Sequence, residues 1–338
     1  MIDLRSDTVT LPTKAMLEAM SLAEVGDDVY GEDPSINHLQ EKLADIFGME
    51  AALFCPSGTM CNQIAVRVHT QPQDEVICDK MAHVYLYEGG GLMANSLVSV
   101  RLVEGDRGRL KAEQIEEAIN PDNPHFPRTK LVCLENTSNK GGGSVYDLTE
   151  IQNIKKLCDE KDLKLHLDGA KVFNAIVASD YNPKDLGKEF DTISVCLSKG
   201  LGAPVGSVLL GSKEEIYQAI RVRKMMGGGM RQAGYLAAAA LYALEHHIER
   251  LAEDHHRATR LSYGLTSLDW VEEMMPVETN IVVFKPQQNL ITSDKLYETL
   301  SEKGIGVSTF GKGYIRLVTH LDIKDEQIDE VLKVFQEI

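Results

Sequence analysis

Short, nearly continuous apolar runs alternate with amphipathic stretches over the first two-thirds of the chain. A strand buried on both faces of a sheet needs apolar side chains at successive positions, whereas a helix covering that sheet needs them along one stripe only. The alternation therefore predicts an α/β fold in which helices cover a mainly parallel, seven-stranded sheet. The expected strands are Ala51–Cys55, Glu75–Cys78, Ser96–Leu102, Lys130–Glu135, Lys164–Asp168, Thr192–Cys196 and Val205–Gly211. Helical periodicity marks Ile36–Phe47, Lys111–Ile119 and Thr149–Lys161, and Thr149 with Gln152 resembles a capping box.

Farther along, the pattern changes. Gln232 to about Leu268 reads as one or two long helices, rich in alanine and leucine at first and more charged later. The remainder holds short strand-like runs at Ile281–Phe284 and Tyr314–Val318, with helices near Ser293–Lys303 and Lys324–Gln336. We expect a large domain over residues 1–245, including the N-terminal segment, and a small C-terminal α/β domain over residues 246–338.

Charge narrows the functional classes. A formal charge of −16 over 338 residues argues against a nucleic-acid or anionic-membrane partner, because phosphates would be repelled. No apolar run approaches the roughly 20 residues that span a bilayer. The start, Met1–Arg5, lacks the charged and apolar regions of a signal peptide, so a cytoplasmic location is expected. The six cysteines are scattered without close pairs, which favours free thiols over disulfides or zinc; no metal site is expected.

The candidate chemistry lies at strand ends. Lys199 follows an apolar strand and is surrounded by small residues in Ser198-Lys199-Gly200-Leu201-Gly202-Ala203. Partial burial there would lower the amine's pKa and make Schiff-base chemistry reasonable; a solvated surface lysine is the plainer alternative. In His166-Leu167-Asp168-Gly169-Ala170 an acid ends another apolar strand. Pyridoxal phosphate needs a carboxylate to keep its ring nitrogen protonated, and Asp168 suits that task, although a helix cap would look similar.

Pro56-Ser57-Gly58-Thr59-Met60 lies between a strand and a helix, where backbone amides can cradle a phosphate. Gly227-Gly228-Gly229, flanked by Lys224 and Arg231, is either a second phosphate-contacting loop or a mobile surface loop. His83 can stack on a flat ring or transfer a proton, and Arg316 within Tyr314–Val318 can grip a carboxylate.

Together these segments closely resemble the low-specificity L-threonine aldolases, pyridoxal-phosphate enzymes of the aspartate-aminotransferase-like fold (fold type I). The resemblance runs through Leu4–Thr10, Ala23–Pro34, Pro56–Met60, His125-Phe126-Pro127, Glu135-Asn136-Thr137, Asp168-Gly169-Ala170, Ser198–Ser207, Gly227–Gly234 and Arg316–His320. It implies retro-aldol cleavage of L-threonine or L-allo-threonine to glycine and acetaldehyde by a homotetramer built from dimers. Lys199 would carry the cofactor, Asp168 would bind its ring nitrogen, and Gly58 and Thr59 would hold its phosphate. His83 would stack on the ring; Ser6 and Arg316 would grip the substrate carboxylate. His83 and His125 compete as the proton-transfer residue, and Lys224 and Arg231 would reach a neighbouring subunit's phosphate.

Two positions depart from the family pattern. Lys171 replaces the usual arginine that contacts the substrate carboxylate or the cofactor, keeping its charge but losing the planar fork. Ser138 stands where a histidine is common, and a change there would lie close to the site. β-Elimination, another reaction of the same cofactor, and cofactor binding without turnover are the alternatives that these departures leave open.

Overall fold

The computed structural model describes residues 1–179 and 181–338. Its main sheet has seven strands, ordered in space as Ala51–Cys55, Ser207–Gly211, Thr192–Cys196, Lys164–Gly169, Arg128–Glu135, Asp74–Asp79 and Ser99–Val103. Ser207–Gly211 runs antiparallel to both neighbours, and every other pairing is parallel. The four central strands from Thr192–Cys196 to Asp74–Asp79 are buried along nearly their whole length, which explains their mainly apolar sequences, interrupted by buried polar groups such as Glu75, His166 and Ser194. Their carboxyl ends open on one edge of the sheet, where ligands of open α/β folds bind.

All seven expected strands form, with ends displaced by a few residues. Ser96 closes a short helix, Gly91–Ser96, and the edge strand starts at Ser99. The helix expected at Thr149 instead takes Asp147 as its cap, whose carboxylate accepts from the Thr149 amide at 2.7 Å. A carboxylate at the cap also meets the positive end of the helix dipole, so it outcompetes the hydroxyl two residues later.

The Ala/Leu-rich stretch forms two helices, Gly234–His246 and Leu251–Thr266. The second joins two cores. Its Leu251 packs with the large sheet, whereas Ala258, Leu261 and Leu265 pack with Val282, Leu317 and Phe335. The smaller sheet is antiparallel, in the order Ser308–Gly311, Tyr314–Val318, Ile281–Pro286, Val271–Met274. Two of its strands, Ser308–Gly311 and Val271–Met274, are short edge strands that the sequence pattern did not mark.

The N-terminus threads into this second region. Ile2–Asp3 pairs in parallel with Ile305–Gly306, and the Val318 amide donates to the Leu4 carbonyl at 2.8 Å. Ile2 and Leu4 are buried in the second core, so the following residues, Arg5–Thr10, are drawn across the open edge of the large sheet. This crossing completes the cavity.

Candidate active site

A cavity of about 390 Å³ lies where the sheet edge, the N-terminal crossing and the small sheet meet. Its large-sheet wall presents Lys199, Glu135, Ala170, Lys171 and His83. Behind it, Asp168 is buried and accepts from Asn62 Nδ2 at 2.9 Å and from the Ala170 amide at 3.1 Å. Asn62 Nδ2 also donates to Glu88 at 2.8 Å, so one amide group fixes two buried carboxylates. That leaves the Asn62 oxygen to accept from His166 Nε2 at 3.1 Å, while Thr192 Oγ1 lies 2.9 Å from His166 Nδ1. Burial lowers the His166 pKa to about 4, so this ring is a neutral strut rather than a charge.

His83 lines the cavity in front of this network. Glu88 lies 3.0 Å from His83 Nδ1, and the His83 amide donates to Glu135 at 2.9 Å. Burial alone would lower the His83 pKa, but the Glu88 hydrogen bond and the charges of Asp168, Glu88 and Glu135 outweigh it and raise it. Holding Nδ1 leaves Nε2 as the ring atom available for proton transfer. Glu135 itself is pushed up to about 7, first by burial and then by the charge of Asp168. The ligand-type atoms of His83, Glu88 and Asp168 lie within 4.8 Å of one another, and the hydrogen bonds just described tie them together.

The Lys199 amine differs from the expectation. Burial works to lower its pKa, but the fields of Cys196, Asp168, Asp7 and Glu135 more than offset that penalty and raise it. Desolvation loses because the strand ends deliver several acids to one edge.

The opposite wall comes from three distant segments. Ser6, Asp7 and Thr8 arrive from the N-terminal crossing, Thr137, Asn139 and Lys140 from the loop after Glu135, and Ser308, Thr309, Phe310 and Arg316 from the small sheet. Arg316 donates through Nη1 to Asn139 Oδ1 at 2.8 Å and through Nη2 to the Arg5 carbonyl at 3.1 Å. Its buried Nε has no partner among the described residues, nor does the buried Thr137 hydroxyl. Unpaired buried donors at a cavity wall are what a bound carboxylate would satisfy.

Below Arg316, Lys171 pairs with Asp7 at 2.8 Å, both side chains nearly inaccessible. Asn280 bonds to both partners, at 3.2 Å to Asp7 and 3.3 Å to Lys171. Burial opposes both charges. The Lys171 ammonium nevertheless keeps the Asp7 carboxyl below its usual range, while the Lys171 pKa remains lowered by burial despite Asp7.

Within a single chain, not every expected residue reaches this cavity. Gly58 and Thr59 start the helix Gly58–His69, whose Asn62 touches Asp168. His125 is exposed and lines a separate hollow with Met93, Leu97 and Phe126. Lys224 lines another with Tyr30 and Arg223, and Arg231 pairs with Asp27 at 2.9 Å. Asn62, Glu88, Asn139, Asn280 and Phe310 were not singled out by the sequence. Only Asn62 carried a usable signal, lying one helical turn after Gly58 and so on the same face.

Comparison with known proteins agrees with this arrangement. Residues 3–288 match the family model for beta-eliminating lyases. The chain is 42% identical over 332 residues to the low specificity L-threonine aldolase of Escherichia coli K12, covering 98% of this chain and 97% of that protein. It is 42% identical over 343 residues to the probable low-specificity L-threonine aldolase 2 of Arabidopsis thaliana, covering 100% and 97%. The chain belongs to the low-specificity L-threonine aldolase family. In fold, it superposes on the threonine aldolase of Leishmania major with a TM-score of 0.86 at 20% identity, covering 100% and 99% of the two chains.

The site suits the pyridoxal phosphate of these aldolases. A Cβ at Gly58 would come within 2.5 Å of Cys196 Sγ, so glycine lets this turn pack closely against the end of the strand that precedes Lys199. A helix start leaves its first amides without intrahelical partners, and Ser57 takes only that of Met60, at 3.2 Å. Asp168 is held rigid by Asn62, as a partner for a ring nitrogen must be. Of the two departures from the aldolase pattern, Lys171 lies at the cavity but is paired with Asp7. Ser138 does not line it: its hydroxyl accepts from the Gly141 amide at 3.2 Å and packs against Gly108, while its neighbours Thr137 and Asn139 face the site.

Proposed function

We propose that this protein cleaves L-threonine and L-allo-threonine to glycine and acetaldehyde with pyridoxal phosphate held by Lys199. The observation that carries this reading is one cavity lined by Lys199, His83 and Arg316, with Asp168 buried behind its large-sheet wall and Arg316 Nε left unpaired. Bound at Lys199, the cofactor supplies a sink for the electrons of the breaking Cα–Cβ bond. Gly58 and Thr59 hold its phosphate and Asp168 its ring nitrogen. Arg316 and Ser6 bind the substrate carboxylate, which fixes the substituents about Cα and selects the bond that breaks. His83 covers the ring and accepts the β-hydroxyl proton at Nε2, with Glu88 holding the opposite nitrogen.

The protein assembles as a homotetramer, in which His125, Lys224 and Arg231 of one subunit approach the cavity of another. Their exposure, and that of Tyr30, Met93, Phe126 and Met225, supports this assembly. A cytoplasmic location is supported by six buried cysteines that are all unpaired. No helix among the described residues is long and apolar enough to cross a membrane.

Purified holoenzyme, incubated separately with L-threonine and L-allo-threonine, is expected to give acetaldehyde and glycine in equal amounts, with none from Lys199→Ala. Ammonia and a keto acid in their place would assign β-elimination; an absence of any product would contradict the reading.

A further inference from the structure

We propose that the cavity also accepts β-hydroxy-α-amino acids bearing a second carboxylate on Cβ, and that Lys140 binds it. The simplest such substrate is 3-hydroxyaspartate. The proposal rests on the aldolase reading and names a substrate class for the same site.

It starts from the cations that line the cavity. Lys171 is neutralised by Asp7 at 2.8 Å, and His83 meets Glu88 at 3.0 Å. Lys199 is assigned to the cofactor and Arg316 to the α-carboxylate. Lys140 is left without a task. Among the described residues no carboxylate oxygen lies within 4.0 Å of its ammonium. Its one hydrogen bond there goes to the Phe310 carbonyl at 3.2 Å, which leaves donor capacity for a ligand.

Two aromatic rings fix where that charge sits. The Lys140 ammonium is 4.2 Å from the Phe310 ring centroid and 5.6 Å from that of Tyr87. An aromatic face holds a cation in place while leaving its charge uncancelled, unlike a carboxylate partner. The same rings connect Lys140 to both ends of the substrate. The Tyr87 ring lies 5.6 Å from that of His83, which takes the β-hydroxyl, and the Arg316 guanidinium lies 5.6 Å from the Phe310 centroid. A substrate anchored at Arg316 and His83 therefore directs its remaining Cβ substituent toward Lys140. The methyl of threonine leaves that ammonium unanswered. A carboxylate there gains a charge-assisted hydrogen bond in a partly water-excluded place.

The reaction balances without a further reactant. The Cα–Cβ bond of 3-hydroxyaspartate breaks, the β-hydroxyl loses its proton to His83, and its oxygen becomes the aldehyde of glyoxylate. Cα gains one proton, and glycine is released.

The test compares the wild-type holoenzyme with Lys140→Met and Lys140→Arg on L-threonine and on the threo and erythro forms of L-3-hydroxyaspartate, following acetaldehyde, glyoxylate and glycine. Methionine keeps the length of the side chain and its contact with the rings but removes the charge. We expect the wild type to form glyoxylate and glycine in equal amounts. The ratio of kcat/KM for hydroxyaspartate to that for threonine should fall at least tenfold in Lys140→Met, mainly through KM, and recover in Lys140→Arg. Acetaldehyde from threonine without glyoxylate from either hydroxyaspartate would overturn this proposal and leave the aldolase reading standing, as would equal losses on both substrates in Lys140→Met. No cleavage of any substrate by the wild type would overturn both.

Discussion

The two walls of the cavity are built differently. The large-sheet wall hangs from the carboxyl ends of adjacent strands, and its groups are fixed by an internal network running from Asp168 through Asn62 to Glu88 and His166. The opposite wall is assembled from the N-terminal crossing, one loop and the small sheet, and it keeps unpaired donors at Arg316 Nε and Thr137 Oγ1. A wall whose hydrogen bonds are already made suits a resident cofactor. A wall with donors to spare suits a ligand that comes and goes.

Substitutions that strike one wall at a time sharpen this contrast. The largest effect is expected from Lys199→Ala, which removes the proposed attachment point of the cofactor: kcat should fall by about 10³-fold or more, as for other residues that act covalently. Single-turnover measurement of acetaldehyde checks it. Next is Asp7→Asn. Breaking a buried ion pair leaves the Lys171 ammonium uncompensated, and stability is expected to drop by about 3–5 kcal/mol in chemical denaturation. An unchanged midpoint would mean that this tie between the N-terminal crossing and the large sheet carries no stability.

A smaller effect is expected from Arg316→Lys, which keeps the charge but loses the fork. KM for threonine should rise about tenfold to a hundredfold with little change in kcat, the loss of roughly one hydrogen bond to a charged group. Smallest is Glu88→Gln, which should act through pH. His83 must be neutral to accept a proton, and Glu88 contributes to raising its pKa against the effect of burial. Removing that charge should therefore move the acid limb of the kcat profile to lower pH. A limb that stays in place would take His83 out of the proton-transfer step.

The same division explains what the sequence disclosed. Lys199, Asp168 and Gly58 stand next to continuous apolar runs, so their place at the sheet edge follows from the strand pattern. Asp7, Asn139, Asn280 and Phe310 come from segments far apart in sequence, and the pairing of Ile2–Asp3 with Ile305–Gly306, more than 300 residues away, helps bring the N-terminal crossing to the small sheet. Nothing local encodes that pairing. The pKa of Lys199 was misjudged for a related reason: burial could be read from its strand, whereas the acids facing it come from Asp7, Glu135 and Asp168 on other elements. Ser138 lies beside the site as expected, between the lining residues Thr137 and Asn139, but the bend and turn after Glu135 commit its hydroxyl to the Gly141 amide, which the local sequence does not disclose.

The division of labour between the walls is tested most directly by titrating Asp168→Asn and Arg316→Lys, beside the wild type, first with pyridoxal phosphate and then with L-threonine. The expected result is a crossed pattern: Asp168→Asn weakens cofactor binding and lowers kcat, whereas Arg316→Lys keeps the cofactor affinity and raises KM alone. If both variants lose cofactor and substrate affinity together, the two walls act as one unit and the contrast drawn between them is wrong.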